Sequence, residues 1–282
     1  MTSTRKLCNR LTNTSEAEPP GRLFFACHHP GGANALLPVL TALRERGWYC
    51  AGVVSQLSQG IFSSFASELR FVDSRISEGA ATDMMMACKP DLAILGTSEP
   101  EDPLLGKVEA VFASTARCND IPSVSILDFW TGYRERFSLP GSLKLDALPD
   151  AVCVMDERAK QEMVAEGFPG ELLHITGNPH LDRLGHIRRD LGGLDRQALK
   201  GQPGVGDRKL ILFVSQPLSS LARCREYDEY SVLDQVVQSV EGVFGDQAVV
   251  WIKLHPREDR AAWAAAVDTS AALSKLGFFV PA

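Results

Sequence analysis

From residue 22 onward, short apolar runs alternate with stretches whose apolar residues recur every three or four positions. This alternation constrains the fold more than any other feature of the chain. Apolar runs separated by long helical patterns cannot pair as hairpins. The connection has to cross over, which builds βαβ units and a parallel sheet. Strands covered on both faces read as continuous Val, Ile and Leu, as Asp91–Leu95 does. The pattern predicts strands at Arg22–Cys27, Trp48–Val54, Phe71-Val72, Asp91–Leu95, Ser123–Leu127, Ala151–Met155 and Leu172–Ile175. Between them it predicts helices at Ala35–Arg46, Ile61–Leu69, Ala80–Cys88, Leu104–Ala116 and Glu157–Glu166. Gly47 stands where a C-cap glycine belongs, and Asp156 and Gly167 bracket the last of these helices.

Gly192-Gly193 and the run Gly201-Gln202-Pro203-Gly204-Val205-Gly206 interrupt the pattern, which then restarts. Strands are expected at Lys209–Val214, Ala248–Leu254 and Gly277–Val280, with helices at Val232–Phe244 and Arg260–Val267. A chain of 282 residues has room for two domains. The expected fold class is α/β with two Rossmann-like parallel-sheet domains, the second incomplete. The expected division is a flexible tail at 1–21, a first domain at 22–190, a linker at 191–207 and a partial second domain at 208–282. A sheet of about three strands buries little and has to lean on something else.

Charge and composition remove several function classes. Lys plus Arg is 29 against 35 for Asp plus Glu, a net charge of -6, so no general attraction to phosphate backbones or anionic lipid is expected. The expectation is therefore no nucleic-acid polymer as partner. No run approaches the roughly 20 apolar residues that span a bilayer. Residues 1–21 have no apolar segment of the kind a secretory signal needs, which points to a cytoplasmic protein. The 7 cysteines, at 8, 27, 50, 88, 118, 153 and 224, never form CxxC, and several sit in apolar runs. Buried reduced thiols fit better than a disulfide frame. With no HExxH and no His/Cys cluster, the sequence assigns no metal and no cofactor.

Candidate chemistry gathers where strands end, since ligands of parallel sheets bind beyond the strand carboxyl ends. After the first strand comes His28-His29-Pro30-Gly31-Gly32-Ala33-Asn34. Gly31 and Gly32 would let a ligand approach the backbone, Asn34 can hydrogen-bond it, and an imidazole can move a proton near neutral pH. After Asp91–Leu95 comes Gly96-Thr97-Ser98-Glu99-Pro100-Glu101-Asp102, whose hydroxyls and acids suit sugar hydroxyls or a base. After the next strand, Asp128 is followed by Trp130, Tyr133, Arg134 and Arg136, an acid with aromatics that can cover a sugar face. In the second half, Ser215, Ser219 and Ser220 lie after one strand, and Lys253, His255 and Arg257 at the end of another.

Four segments carry a resemblance. Asp150–Glu157 leads to Ile175-Thr176-Gly177-Asn178-Pro179-His180-Leu181-Asp182, then Leu210–Ser220, then Lys253-Leu254-His255-Pro256. Together they resemble GT-B fold glycosyltransferases and UDP-N-acetylglucosamine 2-epimerases over most of residues 22–260. The resemblance implies that His28–Asn34 and Asp128–Tyr133 face a cleft from the acceptor side. It also implies that Ser215, Ser219, Ser220 and His255 face a donor's phosphates. Members of that superfamily continue past the His-Pro segment with a phosphate loop and a ribose-gripping acid, whereas this sequence ends at Ala282.

The expected function is thus glycosyltransferase-like, in polysaccharide or glycoconjugate biosynthesis. A sugar or sugar-like group would pass from a nucleotide donor bound in the interdomain cleft. His29 or Asp128 would be the base and Ser215, Ser219, Ser220 and His255 the phosphate-binding set. His28, Gly31, Gly32, Asn34, Thr97, Ser98, Glu99, Trp130, Tyr133 and Asn178 would bind substrate. A nucleotide-sugar epimerase or hydrolase is the first alternative, and a non-catalytic ligand-binding or partner protein the second. The expected partners are a nucleotide-sugar donor and an acceptor. Apolar surface left open by missing strands favours a homo-oligomer.

Overall fold

The computed structural model describes residues 21–72, 75–98, 107–190, 192, 200–201, 205–220, 226–255, 258–269 and 278–279. Residues 1–20 of the expected tail and most of the linker expected at 191–207 therefore lie outside the described residues. The chain divides into two compact units, Met1–Arg189 and Asp190–Ala282.

The first unit is built on a seven-stranded sheet in the order β3-β2-β1-β4-β5-β6-β7. Its strands are β1 (Arg22–Cys27), β2 (Tyr49–Val54), β3 (Leu69–Phe71), β4 (Leu92–Leu95), β5 (Ser123–Ile126), β6 (Ala151–Val154) and β7 (Leu173–Ile175). Every pairing is parallel. The strand period of two sends Leu23, Phe25 and Cys27 to one face and Phe24 and Ala26 to the other. On the first face they meet Leu36 and Leu40 of the helix Pro30–Glu45, with Phe62 and Phe65 of the 3-10 segment Gln59–Glu68. On the second they meet Met85 of the helix Glu78–Cys88 and Phe112 of the helix Val108–Cys118. Each such side chain, fully buried, contributes on the order of 1.5–3 kcal/mol. Helices on both faces explain why these strands read as unbroken apolar runs.

Most predicted strands appear within a residue or two of their expected bounds. The helices differ more. The first begins at Pro30, five positions before the expected Ala35, because His29 takes an extended backbone and Pro30 is preset for the first helical turn. Gly31–Asn34 is therefore helix and not loop. Among the described residues, two helices were not expected: Tyr133–Arg136 and Pro179–Asp190. The second carries Leu181, Leu184 and Ile187 at helical spacing, yet none of its residues is buried. Asp156 and Gly167 take the expected places. Asp156 accepts the amide of Ala159, and Gly167 has φ +97° just past the helix Glu157–Ala165.

The second unit has a three-stranded parallel sheet in the order β10-β9-β8, formed by Lys209–Val214 (β8), Ala248–Lys253 (β9) and Phe278–Phe279 (β10). Leu233, Val237 and Val240 of the helix Glu229–Phe244, with Trp263 and Val267 of the helix Arg260–Thr269, cover one face of β9. On β8, Leu212 and Val214 remain 58% and 57% exposed. A parallel sheet normally has both faces covered, so this unit is a partial version of that architecture among the described residues.

Candidate active site

The strand order reverses between β1 and β4, which both pair with each other while their crossovers run in opposite directions. Beyond the carboxyl ends of two such strands the loops diverge and leave a crevice, the usual ligand position in open α/β sheets. The segments that follow β1, β4 and β5 meet here, and they carry the residues the sequence singled out.

His28 and His29 follow β1. Both are half-buried, and their rings meet edge to face with centroids 4.6 Å apart. The backbone of His28 is held from two sides. Its N–H donates to Glu109 Oε1 at 2.8 Å, and its carbonyl accepts the hydroxyls of Ser55 and Ser58, the latter at 2.8 Å. Glu109 Oε2 accepts the Ser98 hydroxyl at 2.6 Å. One buried carboxylate therefore ties the segment after β1 to the segment after β4. The fully buried Cys27 thiol donates to the His29 carbonyl at 3.3 Å. Burial, then the carboxylates of Glu109 and Asp128, push that thiol well above its ordinary range, so it stays protonated.

Asp128 follows β5. Its Oδ1 accepts the Thr97 hydroxyl at 2.8 Å and the Arg136 guanidinium at 2.7 Å. Arg136 also donates through Nε to the Thr131 carbonyl at 2.8 Å. The Asp128 side chain is 12% exposed and that of Arg136 is 6% exposed. Burial raises the Asp128 carboxyl above the usual range. Arg136 and the Thr97 hydroxyl pull it back, Glu109 pushes it up, and the net direction is upward. Its other oxygen lies against the first turn of the helix Pro30–Glu45: a Cβ on Gly31 would sit 2.3 Å from Asp128 Oδ2. A Cβ on Gly32 would sit 3.0 Å from the Thr97 carbonyl. Within this unit the two glycines make room for Asp128 and for the Thr97 backbone. Asn34, half-buried, lies in the same first turn.

Other expected substrate contacts have structural partners. Tyr133 is 2% exposed and packs with Phe137 and Met163, with its hydroxyl donating to Glu162 Oε2 at 2.7 Å. It is a core residue and cannot cover a sugar face, which corrects the sequence expectation. Its partner Trp130 donates through Nε1 to Asp156 Oδ2 at 2.9 Å, while Phe129 beside it is 54% exposed. Asn178 is buried, accepts the His180 amide at 2.9 Å and donates to the Asp128 carbonyl at 3.5 Å. The Thr176-Gly177-Asn178-Pro179 turn thus starts a helix and holds the Asp128 segment from behind. Gly177, at φ +83°, makes the bend. Glu99 lies outside the described residues.

In the second unit the expected phosphate-binding serines are already engaged. Ser215 is 1% exposed and donates to Glu258 Oε1 at 2.5 Å. Ser219 gives its hydroxyl and its amide to Glu229, each at 2.8 Å. In the structure both serine hydroxyls are therefore taken by carboxylates, Glu258 and Glu229. Ser220 closes the same 3-10 turn, Leu218–Ser220. His255 is half-buried just past β9, with its amide on Glu258 Oε2 at 2.5 Å.

Sequence reading passed over Glu109, Ser55 and Ser58. The signal for Glu109 was present: an acid in the first turn of a helix whose residues Val108 to Ala116 are all buried. A buried carboxylate has to be satisfied, and the donors it finds belong to the two segments beside the crevice. Ser55 and Ser58 carried no such mark, because their roles depend on where the His28 carbonyl points.

Solved structures of known proteins share this architecture. UDP-GlcNAc 2-epimerase from Neisseria meningitidis, bound to UDP-GlcNAc, superposes with a TM-score of 0.62 over 93% of this chain and 72% of its own, at 15% identity. UDP-GlcNAc 2-epimerase from Methanocaldococcus jannaschii gives 0.59 over 92% and 72%, at 11% identity. Acinetobacter baumannii MurG gives 0.51 over 93% and 67%, at 12% identity. The chain has a GT-B-like fold. No family model and no curated protein matches the chain. At these identities the likeness concerns the fold, which epimerases and glycosyltransferases share. No helix among the described residues is long and apolar enough to cross a membrane.

Proposed function

We propose that this chain processes a nucleotide-activated sugar, and that the reaction is transfer of the sugar to an acceptor hydroxyl. The observation that carries the reading is the imidazole pair His28 and His29 beside the buried Asp128–Arg136–Thr97 cluster, at the point where the strand order reverses. In this proposal His29 takes the proton of the acceptor hydroxyl as the sugar leaves the donor. Asp128 is then a positioning residue. Arg136 and Thr97 occupy one of its oxygens, and Gly31 closes over the other. Its part is to fix the first turn of the helix Pro30–Glu45 against the segment after β4. In the second unit His255 supplies the donor interaction with departing phosphate oxygens.

A nucleotide-sugar epimerase is the second reading. Its support is the pair of epimerase structures with TM-scores of 0.62 and 0.59. Such an enzyme would use the same histidines to move a proton on the sugar carbon instead of a hydroxyl. UDP-GlcNAc is the first probe for both readings, because the Neisseria structure holds it.

A thermal-shift panel of UDP, CMP, CDP, GDP and their common sugars on wild type, His29→Ala and His255→Ala tests the proposal. A ligand that binds the native state raises the melting temperature by mass action. The expected result is one nucleotide sugar that stabilises the wild type and stabilises His255→Ala less. His29→Ala should bind that sugar yet lose turnover. NMR of the product then separates transfer from epimerisation. No shift with any nucleotide would reject both enzymatic readings in favour of a binding or partner protein.

A further inference from the structure

At the opposite, amino end of β1 and β2 lies a second concavity that the proposed reaction does not use. It is an open cleft of about 190 Å³, bounded by the ends of these strands, by β3, and by the last turn of the helix Glu78–Cys88. Paired residues of a parallel sheet project to the same face. Arg22 is registered with Tyr49, and Arg70 with Val53, so Arg22, Tyr49 and Arg70 share the face that carries Phe24. The helix ends at Cys88, with Lys89 turning out at φ +47°. It therefore stops short of covering the strand ends, and the cleft is the uncovered remainder.

The lining has an excess of donors. Arg22 lies over the Tyr49 ring at 4.6 Å from its centroid and spends Nε on the Cys88 carbonyl at 2.6 Å. The guanidinium also acts on the Cys88 thiol, and Tyr49 beneath it is 46% exposed. Arg70 is exposed and makes no hydrogen bond or ion pair among the described residues. Against these cations stands one lining carboxylate, Glu68, which accepts the Ser67 hydroxyl at 2.6 Å. The ring and the Cys88 carbonyl hold the Arg22 plane still, so its remaining donors are oriented before any ligand arrives. Arg22 and Arg70 stand on strands two apart and four residues out of step. Their Cα atoms are therefore roughly 15 Å apart, a gap that two arginine side chains close only with a ligand a few atoms long between them.

We infer that this cleft binds a small anionic molecule with acceptor groups at both ends, a phosphate or carboxylate at one guanidinium and further oxygens at the other. It starts at the amino ends of β1 and β2 and runs along the sheet face that carries Phe24 as far as Arg70, whereas His28, His29 and Asp128 follow the carboxyl ends of β1 and β5. It is thus an effector site and takes no part in the chemistry. Sugar phosphates fit the length and the donors, and inorganic phosphate is the one-ended control.

The test is a titration of the full chain, labelled with ¹⁵N, with ribose 5-phosphate and separately with inorganic phosphate. Saturating shifts are expected at the amides of Arg22, Tyr49 and Arg70, with ribose 5-phosphate binding about tenfold more tightly than inorganic phosphate. Arg70→Ala, an exposed edge-strand change that leaves the core intact, should bring the two affinities together. Arg22→Lys keeps a charge but loses the fixed fork, and should weaken both ligands. His29→Ala should change neither affinity. Shifts absent from these amides, or unaltered affinities in Arg70→Ala, would overturn the inference. Equal affinities for the two probes in the wild type would overturn its two-ended form.

Discussion

Replacing Arg136 by methionine tests how the cluster behind the crevice is held together. The substitution keeps most of the side-chain length and removes the charge that meets Asp128 at 2.7 Å. Both side chains are almost wholly buried, so water cannot take over the lost contact. Breaking a buried pair from one side costs about 3–5 kcal/mol, because the remaining charge is left uncompensated. For a unit of this size that corresponds to a fall in melting temperature of roughly 6–20 °C. The loss has to depend on pH. Burial already holds the Asp128 carboxyl above its ordinary value of 3.8. Between that value and the raised one, the folded state keeps a proton that the unfolded state has released. Stability contributed by this group therefore falls as pH rises through that window and is level above it. Without Arg136 the carboxyl rises further, so the fall becomes larger and reaches higher pH. Urea unfolding followed by circular dichroism, from about pH 4 to about pH 8, reads the difference directly. The gap between wild type and Arg136→Met should be largest at neutral pH. It should shrink in acid to about 1–2 kcal/mol, the worth of the lost Thr131 bond and packing. A gap that is the same at every pH would refute the reasoning.

Three further outcomes follow from the same geometry. Gly31→Ala places a methyl group 2.3 Å from Asp128 Oδ2 and should destabilise by about 1–3 kcal/mol in urea unfolding, although alanine favours helix. Glu109→Gln retains an acceptor for the His28 amide and should keep the fold, whereas Glu109→Ala leaves that amide and the Ser98 hydroxyl unpaired and should cost about 2 kcal/mol or more by the same assay. Burial first, and then Glu162, push the Tyr133 phenol far above its ordinary value of 10.0, and Tyr230 is also raised, so an alkaline absorbance titration should leave Tyr133 un-ionised until the protein unfolds. In Tyr133→Phe the late step should shrink by one tyrosine.

Much of this architecture could be read from the chain because parallel strands declare themselves. Arg22–Cys27 appears at its expected limits, since a strand buried inside the sheet is apolar from Leu23 on; Lys209–Val214 does so too, although Leu212 and Val214 are exposed. The helix Pro30–Glu45 was harder. Its first turn carries two glycines, which sequence reading assigns to loops and which here make room for Asp128 and Thr97. Tyr133 looked like a ligand platform because its neighbours Trp130 and Phe129 are aromatic. Only the short helix Tyr133–Arg136, invisible to periodicity at four residues, turns it into the core. The roles of Ser215 and Ser219 turned on acids far along the chain. Glu258 and Glu229 come from other segments, and no local pattern announces that they will take the serine donors. Strand ends were legible, in short, while the partners of the polar side chains placed there depended on contacts between distant segments.

The central claim is that the crevice beyond β1 and β4 receives the sugar-bearing ligand. A ¹⁵N-resolved titration of the full chain with UDP-GlcNAc tests it most directly, with His29→Ala as the companion. The account predicts saturable shifts at the amides of His28, Gly31, Gly32 and Thr97, altered in the variant. Saturable binding that leaves these amides unmoved would contradict it, as would the absence of binding by UDP-GlcNAc and every other nucleotide sugar in the panel.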